Sequence, residues 1–143
     1  MNTTTTPRGV RNNNPGNIDR TSVAWQGEDR SATAVARERR FCVFTTPEAG
    51  FRALAKTLLT YQRKHGLRTV KEIINRWAPP VENNTAAYVH RVADEVGVGG
   101  TEIISLNRPV TLFRLVRAIA RHENGRLYWD DAVIERGVTE ALQ

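Results

Sequence analysis

The segment TTPEAGFRALAKTLL, residues 45–59, has the features of a buried amphipathic helix. Residues 45–48 fit a capping box, and Pro47 suits a first helical turn because its nitrogen has no hydrogen to leave unsatisfied. The apolar residues that follow recur every three or four positions, which places them on one helix face. They are Phe51, Leu54, Ala55, Leu58 and Leu59. The segment therefore predicts a helix that packs against a core and ends at His65-Gly66.

Four further helices are predicted downstream, each from a capping residue at its start or a glycine or proline after its end. They run from Thr69 to Trp77, from a cap at Asn83 or Asn84 to Gly97, from about Thr111 to Asn124, and from a cap at Asp130 through Val138. Together with the first, they make about five helices.

The chain before residue 45 has weak helical periodicity. Residues 1–7 are predicted to be a disordered tail. The run RFCVFT, residues 40–45, is rich in β-forming side chains and predicts a short strand that pairs with the segment around Trp25. The predicted fold class is therefore α+β and mainly helical, with a small β element near the N-terminus, in a single domain over residues 1–143.

Composition narrows the classes of function. The net charge is +6, and 18 of the 21 basic residues are arginine, so the chain favours polyanions such as nucleic acid, anionic lipid or the acidic bacterial cell wall. No apolar run approaches the roughly 20 residues of a membrane span, and residues 1–6 lack the basic start and apolar centre of a signal peptide. The single cysteine, Cys42, has no partner for an intramolecular disulfide, which is compatible with a reducing cytoplasm.

No cofactor and no metal site are expected. The three histidines (His65, His90 and His122) do not have the spacing of zinc ligands with one another or with Cys42. The sequence also contains no glycine-rich phosphate loop and no Gly-x-Ser-x-Gly motif.

Glu123 is the carboxylate with the most unusual predicted position. It lies eleven residues after Leu112, only about 20° away around the helix axis, so it falls on the apolar stripe of the fourth helix. Burial and the negative end of the helix dipole both favour a protonated carboxyl group there. General acid catalysis requires such a group. The alternative is that the stripe ends one turn earlier and Glu123 is solvated beside Gly125.

Two other carboxylates are weaker candidates, because a structural explanation is available for each. Glu48 is the runner-up for the catalytic acid, although the capping box of the first helix accounts for it. Glu28 follows Trp25-Gln26-Gly27 in a predicted turn and is a candidate second carboxylate in a substrate cleft. A solvated surface charge is the simpler interpretation of Glu28.

The segment WAPPVENNTAAY, residues 77–88, is rigid, polar and aromatic. Aromatic rings can stack on sugar rings, and the amides of residues such as Asn83 can bond hydroxyl and N-acetyl groups. The alternative is a proline stop followed by an asparagine cap, with Trp77 and Tyr88 in the core. The residue pattern alone leaves both interpretations open.

Several segments together resemble a family of bacteriophage virion-associated and lytic proteins with lysozyme-like character. These segments are RGVRNNNPGNI (8–18), WQG (25–27), FTTPEAGFRAL (44–54), IINRWAPPVENNTAAYVHRV (73–92) and ARHENG (120–125). The resemblance covers roughly residues 8–141. The combination of RNNNPGNI with WAPPVENNT is its most specific part.

The segment order is also similar to that of the lysozyme-like glucosaminidases and lytic transglycosylases, with one displacement. In those families a helix ending in a Glu-Ser-Gly-like motif comes first and carries the catalytic acid. Here the equivalent segment is LVRAIARHENG, residues 115–125, near the other end of the chain, with Asn124 where serine is usual. The resemblance implies a circularly permuted lysozyme-like domain with Glu123 as the acid. The candidate substrate-binding residues are Asn13, Asn17, Trp25, Asn83 and Tyr88.

The predicted function is cleavage of the β-1,4 glycosidic bonds of peptidoglycan, by a lytic transglycosylase or a muramidase or glucosaminidase mechanism. The expected partners are peptidoglycan glycan strands and other phage virion proteins. The expected location is the virion, or the host cytoplasm before release to the periplasm. One alternative is a non-catalytic phage structural or wall-binding protein. Another is a basic nucleic-acid-binding protein, which the even spread of arginines along the chain disfavours.

Overall fold

The computed structural model describes residues 6–81 and 83–143, and within these ranges the chain forms seven helices joined by loops. The helices are α1 (Arg8–Arg11), α2 (Ala32–Arg37), α3 (Pro47–His65), α4 (Val70–Trp77), α5 (Thr85–Val96), α6 (Pro109–Asn124) and α7 (Asp131–Leu142). The prediction of a mainly helical protein is confirmed. None of the helices in the described ranges is long and apolar enough to span a membrane.

The five predicted helices correspond to α3 through α7. Asn84 is the cap of α5, where its side chain accepts a hydrogen bond from the Ala87 amide, and α6 begins two residues earlier than predicted, at Pro109. The cap of α3 lies one residue later than predicted, because Thr46 and not Thr45 accepts the hydrogen bond from the Ala49 amide. Glu48 therefore occupies the second helical position and not the third, which a reciprocal capping box requires.

The core lies between α3 and the four helices that follow it. The predicted stripe residues of α3 and α6 are buried, including Phe51, Leu54, Leu112 and Ile119. Helices α3 and α7 pack closely because Gly137 has no side chain, and a Cβ there would come within 2.6 Å of the Phe51 Cβ. The close contact of α3 with α7 joins the middle of the chain to its end.

The predicted β element is wrong, since the described residues contain no strand and only two isolated bridges, Asp19 with Phe41 and Glu28 with Phe44. The backbone of residues 40–45 is hydrogen-bonded to three separate segments and not to one neighbouring strand. The Cys42 amide donates to the Ile18 carbonyl, the Phe44 amide to the Asn12 carbonyl, and the Asp29 amide to the Val43 carbonyl. Because no single segment runs alongside, no ladder forms.

Asparagine side chains complete the bonding of this region. The Asn14 amide donates to the carbonyls of Ile18 and Cys42, both at 3.0 Å, and its oxygen accepts from the Ile18 amide at 2.9 Å. The Asn13 amide donates to the Phe44 carbonyl at 3.0 Å. These side chains satisfy backbone groups that a second strand would otherwise have bonded.

Two short helices, α1 and α2, were not predicted. Each has too few residues for a hydrophobic period, although Ser31 caps α2 by accepting from the Ala34 amide and could have indicated its start. Of the predicted tail, residues 1–5 lie outside the described residues. The Pro7 carbonyl accepts hydrogen bonds from the amides of Val10 and Arg11.

Candidate functional site

A cleft of about 400 Å³ lies where the N-terminal segment meets the C-terminal end of α6. Segments that are far apart in sequence form its wall. They are residues 16–19 and 40–41, Thr57 and Tyr61 of α3, residues 77–79 at the end of α4, Asn83, and Glu123 in the last turn of α6. The lining side chains that bear on function are aromatic, amide or charged. They are Phe41, Tyr61, Trp77, Asn17, Asn83, Asp19, Arg40 and Glu123.

Glu123 is held in this cleft by donors on both of its oxygens. The Tyr88 hydroxyl donates to Glu123 Oε2 at 2.9 Å, and Asn17 Nδ2 lies 3.3 Å from Glu123 Oε1. The side chain is half-buried, at the end of a stripe of fully buried residues. The carboxyl group is therefore both oriented and in contact with the cleft.

Tyr88 supports the carboxyl group from the core side. Its side chain is only 1% exposed, and its oxygen accepts a hydrogen bond from Trp77 Nε1 at 3.1 Å. Burial raises the pKa of the Tyr88 phenol well above its ordinary value, and the charge of Glu123 and the bond to it act in the same direction. Tyr88 therefore keeps its proton and donates a hydrogen bond to Glu123, and its ring has almost no surface for a sugar to contact.

His122 stacks on the ring of Tyr88. The imidazole and phenol rings are stacked with centroids 3.6 Å apart and planes at 24°. Burial lowers the pKa of His122 below its ordinary value of 6.5, so the imidazole is neutral at pH 7. A neutral ring can pack against Tyr88 without placing a second charge beside Glu123.

Asn124 connects the end of α6 to the asparagine-rich segment, next to the candidate acid. It is buried, and its Nδ2 donates to the Pro15 carbonyl at 3.0 Å and to the Ala120 carbonyl at 2.8 Å. Gly9 leaves room for this side chain, since a Cβ there would come within 2.5 Å of Asn124 Oδ1. Asn124 thus holds the loop that carries Asn17 against the helix end that carries Glu123.

The predicted site residues fall into two groups. The structure brings Glu123, Asn17, Asn83 and Tyr88 together, the first three in the cleft wall and Tyr88 directly behind it. The predicted residues that do not line the cleft are Asn13, Trp25, Glu28 and Glu48.

Two of the predicted site residues outside the cleft, Trp25 and Glu28, make contacts that stabilise the fold. Trp25 packs against a small apolar cluster that includes Cys42 and Phe44. The Glu28 side chain is fully buried, accepts a bond from the Trp25 amide at 3.0 Å, and lies 2.8 Å from Arg30 Nε. Both residues therefore stabilise the N-terminal region and do not face the cleft.

Sequence patterns did not single out Asp19, Arg40 or Tyr61 as site residues. Asp19 and Arg40 lie in irregular chain, where no period relates one residue to another, and only folding brings them to the cleft. Tyr61 had a usable signal, because it continues the i, i+4, i+7 row of Leu54 and Leu58 along α3. No group of three or more His, Cys, Asp or Glu side chains suited to a metal ion occurs among the described residues.

Tyr88→Phe tests the support of Glu123. The change leaves Trp77 Nε1 without its acceptor and Glu123 Oε2 without its donor, so the free energy of unfolding should fall by about 1–2 kcal/mol in urea titrations. Tyr128→Phe is a matched control, because its hydroxyl makes no hydrogen bond within the described part of the chain. Equal stability of the two variants would contradict the hydrogen-bonded chain from Trp77 to Glu123.

Comparison with known proteins gives one similarity to a bacteriophage protein. Over 94 residues, which are 64% of this chain, the sequence is 43% identical to Protein P5 of Pseudoalteromonas phage PM2. The match covers 56% of the phage protein, so the chain spans little more than half the length of that relative. No protein-family model matches the chain. The similarity suggests a bacteriophage origin for this protein.

Proposed function

We propose that the protein cleaves β-1,4 glycosidic bonds of peptidoglycan, with Glu123 as the general acid. The supporting observation is the position of Glu123 itself, bonded to Tyr88 and Asn17 and open to a cleft lined by aromatic and amide side chains. Aromatic faces and amides suit the apolar ring faces and N-acetyl groups of amino sugars. The net charge of +6 would favour association with an acidic cell wall.

A circularly permuted lysozyme-like fold is part of the same proposal. It requires the end of α6 to lie beside the asparagine-rich segment, although the two are more than 100 residues apart. The bonds from Asn17 to Glu123 and from Asn124 to the Pro15 carbonyl support that placement. Chain ends often lie close together in domains, so the rearrangement is physically acceptable.

The hydrogen bonds of Glu123 are compatible with both the protonated and the ionised form of its carboxyl group, and acid catalysis needs both forms. Each carboxyl oxygen has two lone-pair directions, so the acid can carry its proton toward the cleft while Tyr88 still donates to Oε2. Asn17 Nδ2 donates to the ionised carboxylate. Asn17 Oδ1 is buried and has no partner among the described residues, and a rotation of the amide would let it accept the proton of the neutral acid.

We favour transglycosylation over hydrolysis for the chemical step. Glu123 would donate its proton to the leaving glycosidic oxygen and then, as a carboxylate, take the proton of the sugar's own C6 hydroxyl as that oxygen attacks C1. Among residues 6–81 and 83–143, the only other acidic side chain in the cleft wall is Asp19, whose oxygen lies 2.9 Å from Arg40 Nε. A hydrolase that uses two carboxylates needs a second one free to activate water or to act as nucleophile.

Product analysis tests this function. Purified peptidoglycan incubated with the protein should release muropeptides that end in 1,6-anhydro sugars, which mass spectrometry separates from hydrolysis products by the mass of one water. Products that have a free reducing end and no anhydro ring would show that the bond is cleaved by hydrolysis and not by transglycosylation. Binding to the wall with no released product would instead support a non-catalytic wall-binding or virion structural role, which fits a phage relative equally well.

In a phage setting, the proposed partners are peptidoglycan glycan strands and other virion proteins. The proposed location is the virion, or the host cytoplasm before release to the periplasm. Fractionation of purified particles with an antibody against the chain would distinguish the two locations.

A further inference from the structure

Arg40 is a second polar feature of the cleft wall, distinct from Glu123. Its Nε donates to Asp19 Oδ1 at 2.9 Å, and its guanidinium carbon lies 4.6 Å from the centroid of the Phe41 ring. The side chain is 64% exposed, yet it is held by an ion pair on one edge and an aromatic face below. The guanidinium is therefore oriented before any ligand binds.

The backbone at Arg40 is also fixed. Its amide donates to Glu38 Oε2 at 2.9 Å, and its carbonyl accepts from the Arg20 amide at 2.9 Å. Glu38 is buried and also accepts from the Phe41 amide at 3.0 Å. The arginine and the ring beneath it thus project from a rigid segment, which lowers the entropy cost of binding.

In the part of the chain that the structure describes, Arg40 has guanidinium donors that are free, whereas the corresponding donors of Arg8 are occupied. Both guanidinium groups lie 4.6 Å from the Phe41 centroid. Arg8 donates from Nε and Nη2 to the two oxygens of Glu38, at 2.6 and 2.8 Å, so its hydrogen-bonding edge is occupied. Within the described residues, the two terminal NH2 groups of Arg40 donate no hydrogen bond. Such a pair of donors matches the two oxygens of a carboxylate.

We propose that Arg40 binds a carboxylate carried by the N-acetylmuramoyl residue of the glycan strand. This inference rests on the proposed function, since it places a second contact in the cleft that receives the strand. The N-acetylated sugar backbone is neutral, so the carboxylates of peptidoglycan belong to the stem peptide, or to the lactyl group where that peptide has been removed. Arg40 would select strands with such a group and set their position relative to Glu123.

Binding measurements on three forms of peptidoglycan, each immobilised on beads, test the proposal. The forms are untreated peptidoglycan, peptidoglycan stripped of stem peptides by an amidase, and peptidoglycan whose carboxylates have been converted to amides. Cosedimentation would compare Glu123→Gln, which leaves the strand uncut, with the double variant Glu123→Gln/Arg40→Gln. On untreated peptidoglycan the double variant should bind about 10- to 100-fold more weakly. On the amidated form the two should bind equally.

The stripped form distinguishes the two sources of the carboxylate. A difference that disappears after stripping shows that Arg40 binds only the stem peptide, and a difference that persists shows that Arg40 also binds the lactyl carboxylate, which the amidase exposes. Arg117→Gln in the same background is the matched control, because Arg117 Nε also lies 2.9 Å from an aspartate, Asp131, but outside the cleft wall. It removes the same charge and should leave binding unchanged.

Two results would overturn the role of Arg40. One is equal binding of the two variants to untreated peptidoglycan. The other is an equal loss of binding on the untreated and amidated forms, which would indicate damage to the cleft. Neither result depends on catalysis. Failure of the proposed function would appear separately, as an absence of released products from the unmodified protein.

Discussion

Replacing Glu123 by glutamine is expected to reduce cleavage of purified peptidoglycan by about 100- to 10,000-fold, the usual contribution of a general acid. Glutamine has nearly the same shape and keeps an oxygen that can accept from Tyr88, but it has no acidic proton to donate. The fall in turbidity of a peptidoglycan suspension, with release of muropeptides, measures the effect. Circular dichroism and urea unfolding show whether the variant remains folded.

Glu48→Gln is the matched control for this variant. Glu48 was the runner-up from sequence, but it occupies the first turn of α3 and does not line the cleft. Its substitution should leave the cleavage rate within about twofold of the unmodified protein, because surface changes away from a site have small effects. Full activity in a folded Glu123→Gln variant would falsify the proposed role of Glu123.

Glu38→Gln is expected to cause the largest loss of stability, about 3 kcal/mol, because hydrogen bonds to a buried charged group contribute about 1.5–3 kcal/mol. Glu38 is 4% exposed, and its oxygens accept bonds from the side chains of Arg8 and Asn12 and from the amides of Arg40 and Phe41. Glutamine would place an NH2 donor opposite groups that are themselves donors, so some of them would lose their acceptor. Urea unfolding at neutral pH measures the loss.

A control for this change is Asp94→Asn. Asp94 lies 3.5 Å from His90 Nε2, but both side chains are more than two thirds exposed. Exposed pairs contribute about 0–1 kcal/mol, so this variant should unfold close to the unmodified protein. If Glu38→Gln were no more destabilising than Asp94→Asn, the buried carboxylate would not be what holds the N-terminal region together.

The effect of Glu38→Gln should also depend on pH. The bonds from Arg8 hold the pKa of Glu38 well below its ordinary value of 4.5, with smaller contributions from the two backbone amides and Asn12. A carboxyl group with a lowered pKa in the folded state stabilises the fold fully above its unfolded pKa, and that contribution is lost as the pH falls toward the folded value. The stability gap between the two proteins should therefore be constant near neutrality and shrink below about pH 4.5.

Much of the helical architecture could be predicted because its signals are local. Phe51, Leu54 and Leu58 recur at the helical period, and the Gly97 and Gly125 positions adopt the positive φ that ends a helix. The same reasoning placed Glu123 at the end of a buried stripe, where the structure puts it. Capping and periodicity involve residues within about four positions of one another, so the chain specifies them without reference to its overall fold.

The N-terminal region could not be predicted in this way. β propensity favoured a strand at residues 40–45, but the bonding partners of these residues are Ile18, Asn12 and Asp29, which come from separate loops. The four asparagines of RNNNPGNI also have different roles. Asn12, Asn13 and Asn14 bond structural groups, and only Asn17 reaches Glu123. Neighbouring asparagines offer the same donors and acceptors, so their sequence does not distinguish these roles.

Local signals in the chain were enough to place the five longest helices, the faces they bury, and one carboxylate at the end of a buried stripe. Folding alone brings Glu123 to Asn17 and Tyr88, places Asp19 and Arg40 in the same cleft, and keeps Glu28 and Trp25 out of it. The two sets of features differ in the range of the interactions that form them. Helix periods and caps depend on near neighbours along the chain, whereas the cleft forms only when the packing of α3, α6 and the N-terminal segment brings distant side chains together.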